Sequence, residues 1–191
     1  RNGGRVGAAA GPQVARQALA NMPWMGEGAV WDAGDVDCVD GDLDGAQQAL
    51  AARVAQAMAQ GCTPLVQGGG HEVAWGTFQG LARALPVPRR ILVLNLDAHF
   101  DLRMAQQGNS GTPFRQIHEC CAAEGRAFDY RVLGISRYAN TQALFDRADA
   151  LGARYWLDDD LQTESGVQTA LAALAPDIAA CDAVYLTTDI D

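Results

Sequence analysis

No apolar run in this sequence is long enough to span a bilayer, so it offers no membrane-crossing helix. No Lys/Arg-rich patch or basic stripe is present, and the net charge is -9, from 14 basic and 23 acidic residues. That balance argues against nucleic acid and anionic membranes as partners. Charged residues make up only 19% of the chain, without a charge block or low-complexity tract, which excludes a disordered class. No C-x-x-C occurs among the five cysteines, Cys38, Cys62, Cys120, Cys121 and Cys181. An odd number with two adjacent suits neither a disulfide framework nor a zinc ribbon. Reduced thiols in the cytoplasm are the simplest reading, with the adjacent pair structural. The first residues carry no secretory or transit pattern, in keeping with that expectation.

What is present is enough for a core: 49% of the 191 residues are hydrophobic. The length predicts a single domain over 1–191, or most of one. The chain opens on RNGG without a methionine and stops at TTDID, in what reads as a strand end. Boundaries usually fall in polar, flexible stretches, so the expectation is a domain truncated at its C-terminal end.

Strands and helices alternate along the chain. Residues 1 to 20 are Gly- and Ala-rich and become helical around VARQALA. Residues 26 to 44 read as loop with one short strand near Val36. A helix over 46–61 stops at Gly61. TPLVQGGG reads as a short strand running into glycines, and 71–85 as a helix. RRILVLNL, 89–96, is a continuous apolar run that suits a strand buried on both faces. DYRVLGIS is a second such strand, followed by a helix from about Thr141 to Leu151, the strand ARYWL, a helix around 164–175 and the strand CDAVYLTT. This order predicts an α/β fold: a three-layer α/β/α sandwich around a mostly parallel sheet.

In such sheets ligands bind beyond the carboxyl ends of the strands. Three of these strands end in residues that can ligate. LVQGGG leads to His71, ILVLNL to Asp97, His99 and Asp101, and VYLTT to Asp189 and Asp191. In extended chain, positions two apart share a side, so each set could converge. Four aspartates meeting without a cation would repel and raise one another's pKa values. Two divalent cations would cancel them. Oxygen-rich ligation with some imidazole and no thiolate favours Mn²⁺ over Mg²⁺, Fe²⁺, Co²⁺ or Zn²⁺. Each motif alone has an ordinary reading as turn formers, helix caps or a satisfied polar histidine. All three together, each after a strand, do not. His118, the third histidine, reads as a surface-helix residue, with a proton shuttle as the alternative. The glycines before His71 fail G-x-G-x-x-G, because position 73 is valine, so a tight turn is the economical reading.

GGGHE, DAHFDLR and TTDID resemble the three metal-binding signatures of the ureohydrolases, the arginase–agmatinase family. The resemblance implies an arginase-like fold and two Mn²⁺ ions, with His71 and Asp101 on one, His99 and Asp191 on the other, and Asp97 and Asp189 bridging. RNGGRVGAAAGP, DAGDVDCVDGDLDGAQ, GGGHEVAWGTFQGL, SGTPFRQI and LGISRYANT are similar to one branch of that family. That branch hydrolyses N-formimidoyl-L-glutamate to L-glutamate and formamide in histidine degradation. Arginases usually have an acidic residue where this chain has Gly70, and a histidine in the loop that here reads GNSGTPF. Family members continue well past the third motif and often form homo-oligomers. By the implied mechanism, a hydroxide bridging the two metals attacks the formimidoyl carbon, and Asp101 passes a proton to the leaving amine. A substrate with two carboxylates calls for guanidinium groups. Arg103 is the first candidate and Arg137 the second, with Asn109 and Ser110 as hydrogen-bond donors in the covering loop. The rival readings are another ureohydrolase of agmatinase or guanidinobutyrase type, a non-catalytic metal-binding domain, and a zinc-dependent deacetylase. The last would need a histidine pair that is not visible here.

Overall fold

The sheet is built from four parallel strands in the order β3-β2-β1-β4: β1 Ile91–Leu96, β2 Asp129–Ile135, β3 Arg154–Leu157 and β4 Ala183–Thr188. The computed structural model describes residues 6–190. The described residues form six α-helices: α1 Gly11–Leu19, α2 Leu43–Ala59, α3 Val73–Ala84, α4 Pro113–Glu124, α5 Gln142–Ala150 and α6 Glu164–Ala179. Helix α4 joins β1 to β2, α5 joins β2 to β3, and α6 joins β3 to β4.

Local chemistry accounts for these boundaries. The Asp42 carboxylate accepts from the Gly45 N–H to start α2, and the Thr163 hydroxyl accepts from Gly166 to start α6. Pro113 sits in the first turn of α4, where its missing N–H costs nothing, and Gly125 ends that helix at φ 68°.

Residues alternate across the sheet as the pleat requires. Ile91 and Val93 of β1, and Tyr130 and Val132 of β2, join one core with Phe78 of α3, Phe114 and Ile117 of α4 and Leu144 of α5. Arg131, between Tyr130 and Val132, points the other way and donates to the Asp177 carboxylate on α6 at 2.6 Å. Helices therefore lie on both faces, in keeping with the expected three-layer sandwich, while Val184 and Leu186 of β4 stay exposed on the α6 side. The far end of β1 is tied by charge: Arg90 pairs with Asp129 at 2.9 Å, and its N–H donates to Asp182 at 2.8 Å.

The chain runs outward from β1 through β2 to β3, then returns across the sheet to lay β4 on the other side of β1. The order reverses between β1 and β4. A crevice opens at such a switch point, beyond the strands' carboxyl ends.

Two expected strands are absent among the described residues. No strand forms near Val36; that segment runs as loop into a 3-10 turn at Val39–Gly41. Residues 62–68 form none either. An apolar run suggests a face to bury, but a strand also needs a ladder partner, and no ladder joins this segment to the sheet. Leu65 stands 82% exposed as a result. Residues 1–5 and Asp191 lie outside the described residues. No helix among the described residues is long and apolar enough to cross a membrane.

Candidate metal centre

Strand β1 ends at Leu96, and the Asp97 N–H still bonds to the Leu133 carbonyl at 3.0 Å, as if the ladder continued. The Asp189 N–H does the same beyond β4, bonding to the Leu96 carbonyl at 3.0 Å. These two aspartates therefore flank the switch point on adjacent strands. His71 arrives from the turn that opens α3, where its carbonyl accepts from the Ala74 N–H. The turn does what the absent strand was expected to do.

Four side chains meet there. One ligand atom from each of His71, Asp97, Asp101 and Asp189 lies within 4.8 Å of all the others. His71 Nδ1 is the hub: it is 2.9 Å from Asp101 Oδ2, 3.1 Å from Asp97 Oδ2 and 3.5 Å from Asp189 Oδ2. His71, Asp97 and Asp101 are buried, and Asp189 is half-buried.

Convergence of 97, 99 and 101 does not follow the extended geometry expected for them. Asp101 has φ 49°, in the left-handed region. The backbone turns there and swings the Asp101 carboxylate onto the His71 ring. Asparagine and aspartate tolerate this conformation better than other residues with a Cβ. His99 stands aside from the four, 30% exposed in its side chain, with Nδ1 3.4 Å from Asp97 Oδ1. The two Asp97 oxygens thus face two different histidines. Asp191, the sixth expected ligand, lies outside the described residues.

The loop from 97 to 101 is held by residues that the sequence did not single out. The Asn140 Oδ1 accepts from the Phe100 N–H at 3.1 Å, while its Nδ2 donates to the Ala98 and Ser136 carbonyls. Thr187 Oγ1 meets His71 Nε2 at 3.0 Å, which leaves Nδ1 directed at the carboxylates. Thr187 lies two residues before Asp189 on the same strand face, so the alternation that selected Asp189 also pointed to it. The edge of Phe114 packs on the His71 ring at 5.2 Å between centroids and walls off one side.

Charge in the cluster is unbalanced without a cation. Burial opposes a proton on His71, but the hydrogen bonds to Asp101 and Asp97 outweigh it and raise the imidazole to about 10. Burial lifts the Asp101 carboxyl to about 6; the His71 bond pulls it down and the Asp97 charge pushes it up, leaving burial dominant. An imidazolium among three carboxylates is the arrangement a divalent cation would replace. Hard oxygen donors with one imidazole and no thiolate suit Mn²⁺ or a similar ion.

The expected substrate residues are not gathered at one place. Arg103 follows Asp101 and lines a hollow of about 430 Å³ with Met104, Thr141, Leu144 and Arg147. Arg137 lines a second hollow with Asn140, Asp149 and Tyr155. Neither hollow is lined by any of the four cluster residues. The Asn109 Oδ1 accepts from the Gly111 N–H at 2.9 Å, and the Gly111 carbonyl accepts from the Arg103 N–H at 2.9 Å. Asn109 therefore shapes the turn that ties this loop to Arg103, with Ser110 half-buried beside it. His118 lies on α4 against the Phe128 ring at 5.2 Å and is not among the cluster residues. All five cysteines are unpaired, and burial pushes the Cys121 thiol up to about 12.

A parallel α/β sheet that presents aspartates from two adjacent strand ends to one histidine defines a class of carboxylate–histidine metal centres. Residues 1–191 match the Arginase family, and the chain belongs to it. It is 54% identical over 194 residues to a formimidoylglutamase of Cupriavidus pinatubonensis and 54% identical over 193 residues to one of Chromobacterium violaceum. All of this chain is covered in both cases, but it spans only 61% of the length of each. Among solved structures, a formimidoylglutamase from Bacillus subtilis shares the fold at TM-score 0.84 and 22% identity, covering 98% of this chain and 61% of that one. A Trypanosoma cruzi formiminoglutamase with Mn²⁺ shares it at TM-score 0.79 and 24% identity, covering 92% and 61%.

Proposed function

We propose that this chain carries the metal centre of a manganese-dependent hydrolase that converts N-formimidoyl-L-glutamate to L-glutamate and formamide, a step of histidine degradation. The observation that carries the reading is the convergence of His71, Asp97, Asp101 and Asp189 at the switch point of the sheet. Relatives at 54% identity named formimidoylglutamase support the choice of substrate.

In this reading His71 and Asp101 would hold one Mn²⁺ and His99 and Asp191 the other, with Asp97 and Asp189 shared between the two. The division of the two Asp97 oxygens between His71 and His99 supports the bridging role. Two bound cations would draw the pKa of water toward neutrality and so supply a nucleophile at neutral pH. Water adds to the planar formimidoyl carbon, and the bond from that carbon to the glutamate nitrogen breaks. Asp101, buried beside His71 at 2.9 Å, would take up the proton released by the water and deliver it to the departing nitrogen. Phe114 keeps bulk water from one side of His71.

The guanidinium groups proposed for the substrate's two carboxylates are Arg103 and Arg137, which line two separate hollows that the four cluster residues do not line, with Asn109 and Ser110 proposed as donors from the loop between β1 and α4. The partner is a small molecule rather than nucleic acid or membrane, the setting is the cytoplasm, and a homo-oligomer is compatible with this reading. Formamide release from N-formimidoyl-L-glutamate, measured with added Mn²⁺ and with chelator, tests the reading. Metal-dependent formamide release is expected. Release of urea from guanidino compounds with none from the formimidoyl substrate would overturn the substrate assignment.

A further inference from the structure

The Asp97 carboxylate sits in a closed ring of hydrogen bonds built from groups that are not metal ligands. Asn95, two residues upstream on β1, is wholly buried. Its Nδ2 donates to Asp97 Oδ2 at 3.1 Å and to the Tyr130 hydroxyl oxygen at 3.2 Å. The Tyr130 hydroxyl, also fully buried, donates to the Phe100 carbonyl at 3.1 Å. Phe100 is three residues past Asp97, so the ring closes through the main chain of the loop.

Donor counting fixes every direction in this ring. A carboxylate only accepts, so the NH₂ end of Asn95 must face Asp97. Its two protons serve Asp97 and Tyr130. The single tyrosine proton is committed to Phe100, so the hydroxyl oxygen accepts from Asn95. The remaining amide atom, Asn95 Oδ1, is buried without a partner. For stability alone, an apolar residue of the same shape would suit this buried strand better, because it leaves no orphan acceptor. What it would lack is the donor aimed at Asp97.

The second Asp97 oxygen is also fixed, since Oδ1 accepts from the His99 N–H at 2.7 Å. Oδ2 accepts from Asn95 and also faces His71 Nδ1 at 3.1 Å, so the Asn95 amide and the His99 N–H, one on each oxygen and neither from a ligating atom, stop the carboxylate from rotating. We propose that Asn95 and Tyr130 are positioning residues that orient the Asp97 carboxylate, and the main chain to Phe100, for cation binding. This rests on the metal-centre reading above. Outer groups of this kind tune affinity by holding a ligand in its coordinating pose.

The test is Mn²⁺ titration of the chain by calorimetry, paired with thermal unfolding in chelator. Tyr130→Phe removes one oxygen and keeps the ring. Asn95→Leu keeps the shape and removes the donor. Phe128→Leu is the packing control, since its ring lies 5.5 Å from that of Tyr130 and takes no part in the hydrogen bonds. Tyr130→Phe and Asn95→Leu should each weaken Mn²⁺ binding about tenfold or more. Phe128→Leu should lower the chelator-treated unfolding midpoint and keep the affinity. Unchanged affinity in Tyr130→Phe overturns the inference, as does an equal loss in Phe128→Leu. Should Asn95→Leu fail to fold, Tyr130→Phe alone decides. No Mn²⁺ uptake by the parent chain would overturn the metal-centre reading and this inference with it; uptake by the parent with Tyr130→Phe equal to it overturns only the inference.

Discussion

Thr187 Oγ1 lies 3.0 Å from His71 Nε2, on the ring edge opposite the three carboxylates. One hydroxyl on β4 thereby fixes which nitrogen of His71 faces the cluster. Thr187→Val keeps the β-branched shape and removes the bond. The expected result is Mn²⁺ affinity lower by about 10–100-fold, read by calorimetric titration. An unaltered binding isotherm would show that packing alone orients the ring.

Asp101→Asn separates geometry from charge. Asparagine accepts the left-handed backbone at position 101, so the turn should persist. The ionisable oxygen is lost, and turnover of N-formimidoyl-L-glutamate should fall by roughly 10²–10⁴-fold. Full turnover with metal still bound would remove Asp101 from proton transfer.

Arg103→Ala should lower kcat/KM for N-formimidoyl-L-glutamate by about tenfold or more, since a lost charge-assisted contact costs on the order of 1.5–3 kcal/mol. The same substitution should leave Mn²⁺ affinity in place. Steady-state kinetics identical to the parent would exclude Arg103 from the substrate pocket.

Cation binding should stabilise the fold, because the cluster exists only when the strand ends and the turn before α3 are assembled. At Mn²⁺ about 100-fold above its dissociation constant, the gain is about 2.7 kcal/mol. For a chain of this size that corresponds to roughly 5–10 °C in Tm. Calorimetric scans with Mn²⁺ and with chelator measure it, and coincident midpoints would speak against a site of useful affinity.

Asp177 provides a pH dependence away from the cluster. Its bond to Arg131, opposed in part by desolvation, holds the carboxyl below the ordinary aspartate range. A carboxyl lowered on folding stabilises the native state at any pH above its unfolded pKa of about 3.9, and that stability is lost as pH falls through the folded value. Urea unfolding of the parent and Asp177→Asn should therefore differ at neutral pH and converge in strong acid. A constant gap across that range would contradict the linkage.

The sheet and most of the cluster were legible because side-chain patterns report faces. ILVLNL and DYRVLGIS are largely apolar runs, and both became strands whose residues are mostly buried. Asp97 and Asp189 were legible because carboxylates recur after separate strands together with His71, a combination that turn-forming or capping roles do not explain. Patterns do not report partners, which is why TPLVQ read as a strand and is not one. Period-two reasoning also stops where the backbone turns: alternation sets His99 Nδ1 3.4 Å from Asp97 Oδ1, but it is the positive φ at Asp101 that brings the third carboxylate to His71. Asn95 was hidden for a different reason. An amide inside an apolar run looks like an imperfection until its neighbour's carboxylate is seen beside it.

The positive φ of Asp101 narrows what evolution could do at that codon. Glutamate offers the same charge one methylene further out, yet it is a poor occupant of that backbone region. The natural neighbour in conformational terms is asparagine, which forfeits the acid. Exchange of one acidic residue for the other, neutral at many surface positions, is closed here by the main chain before the chemistry is ever consulted.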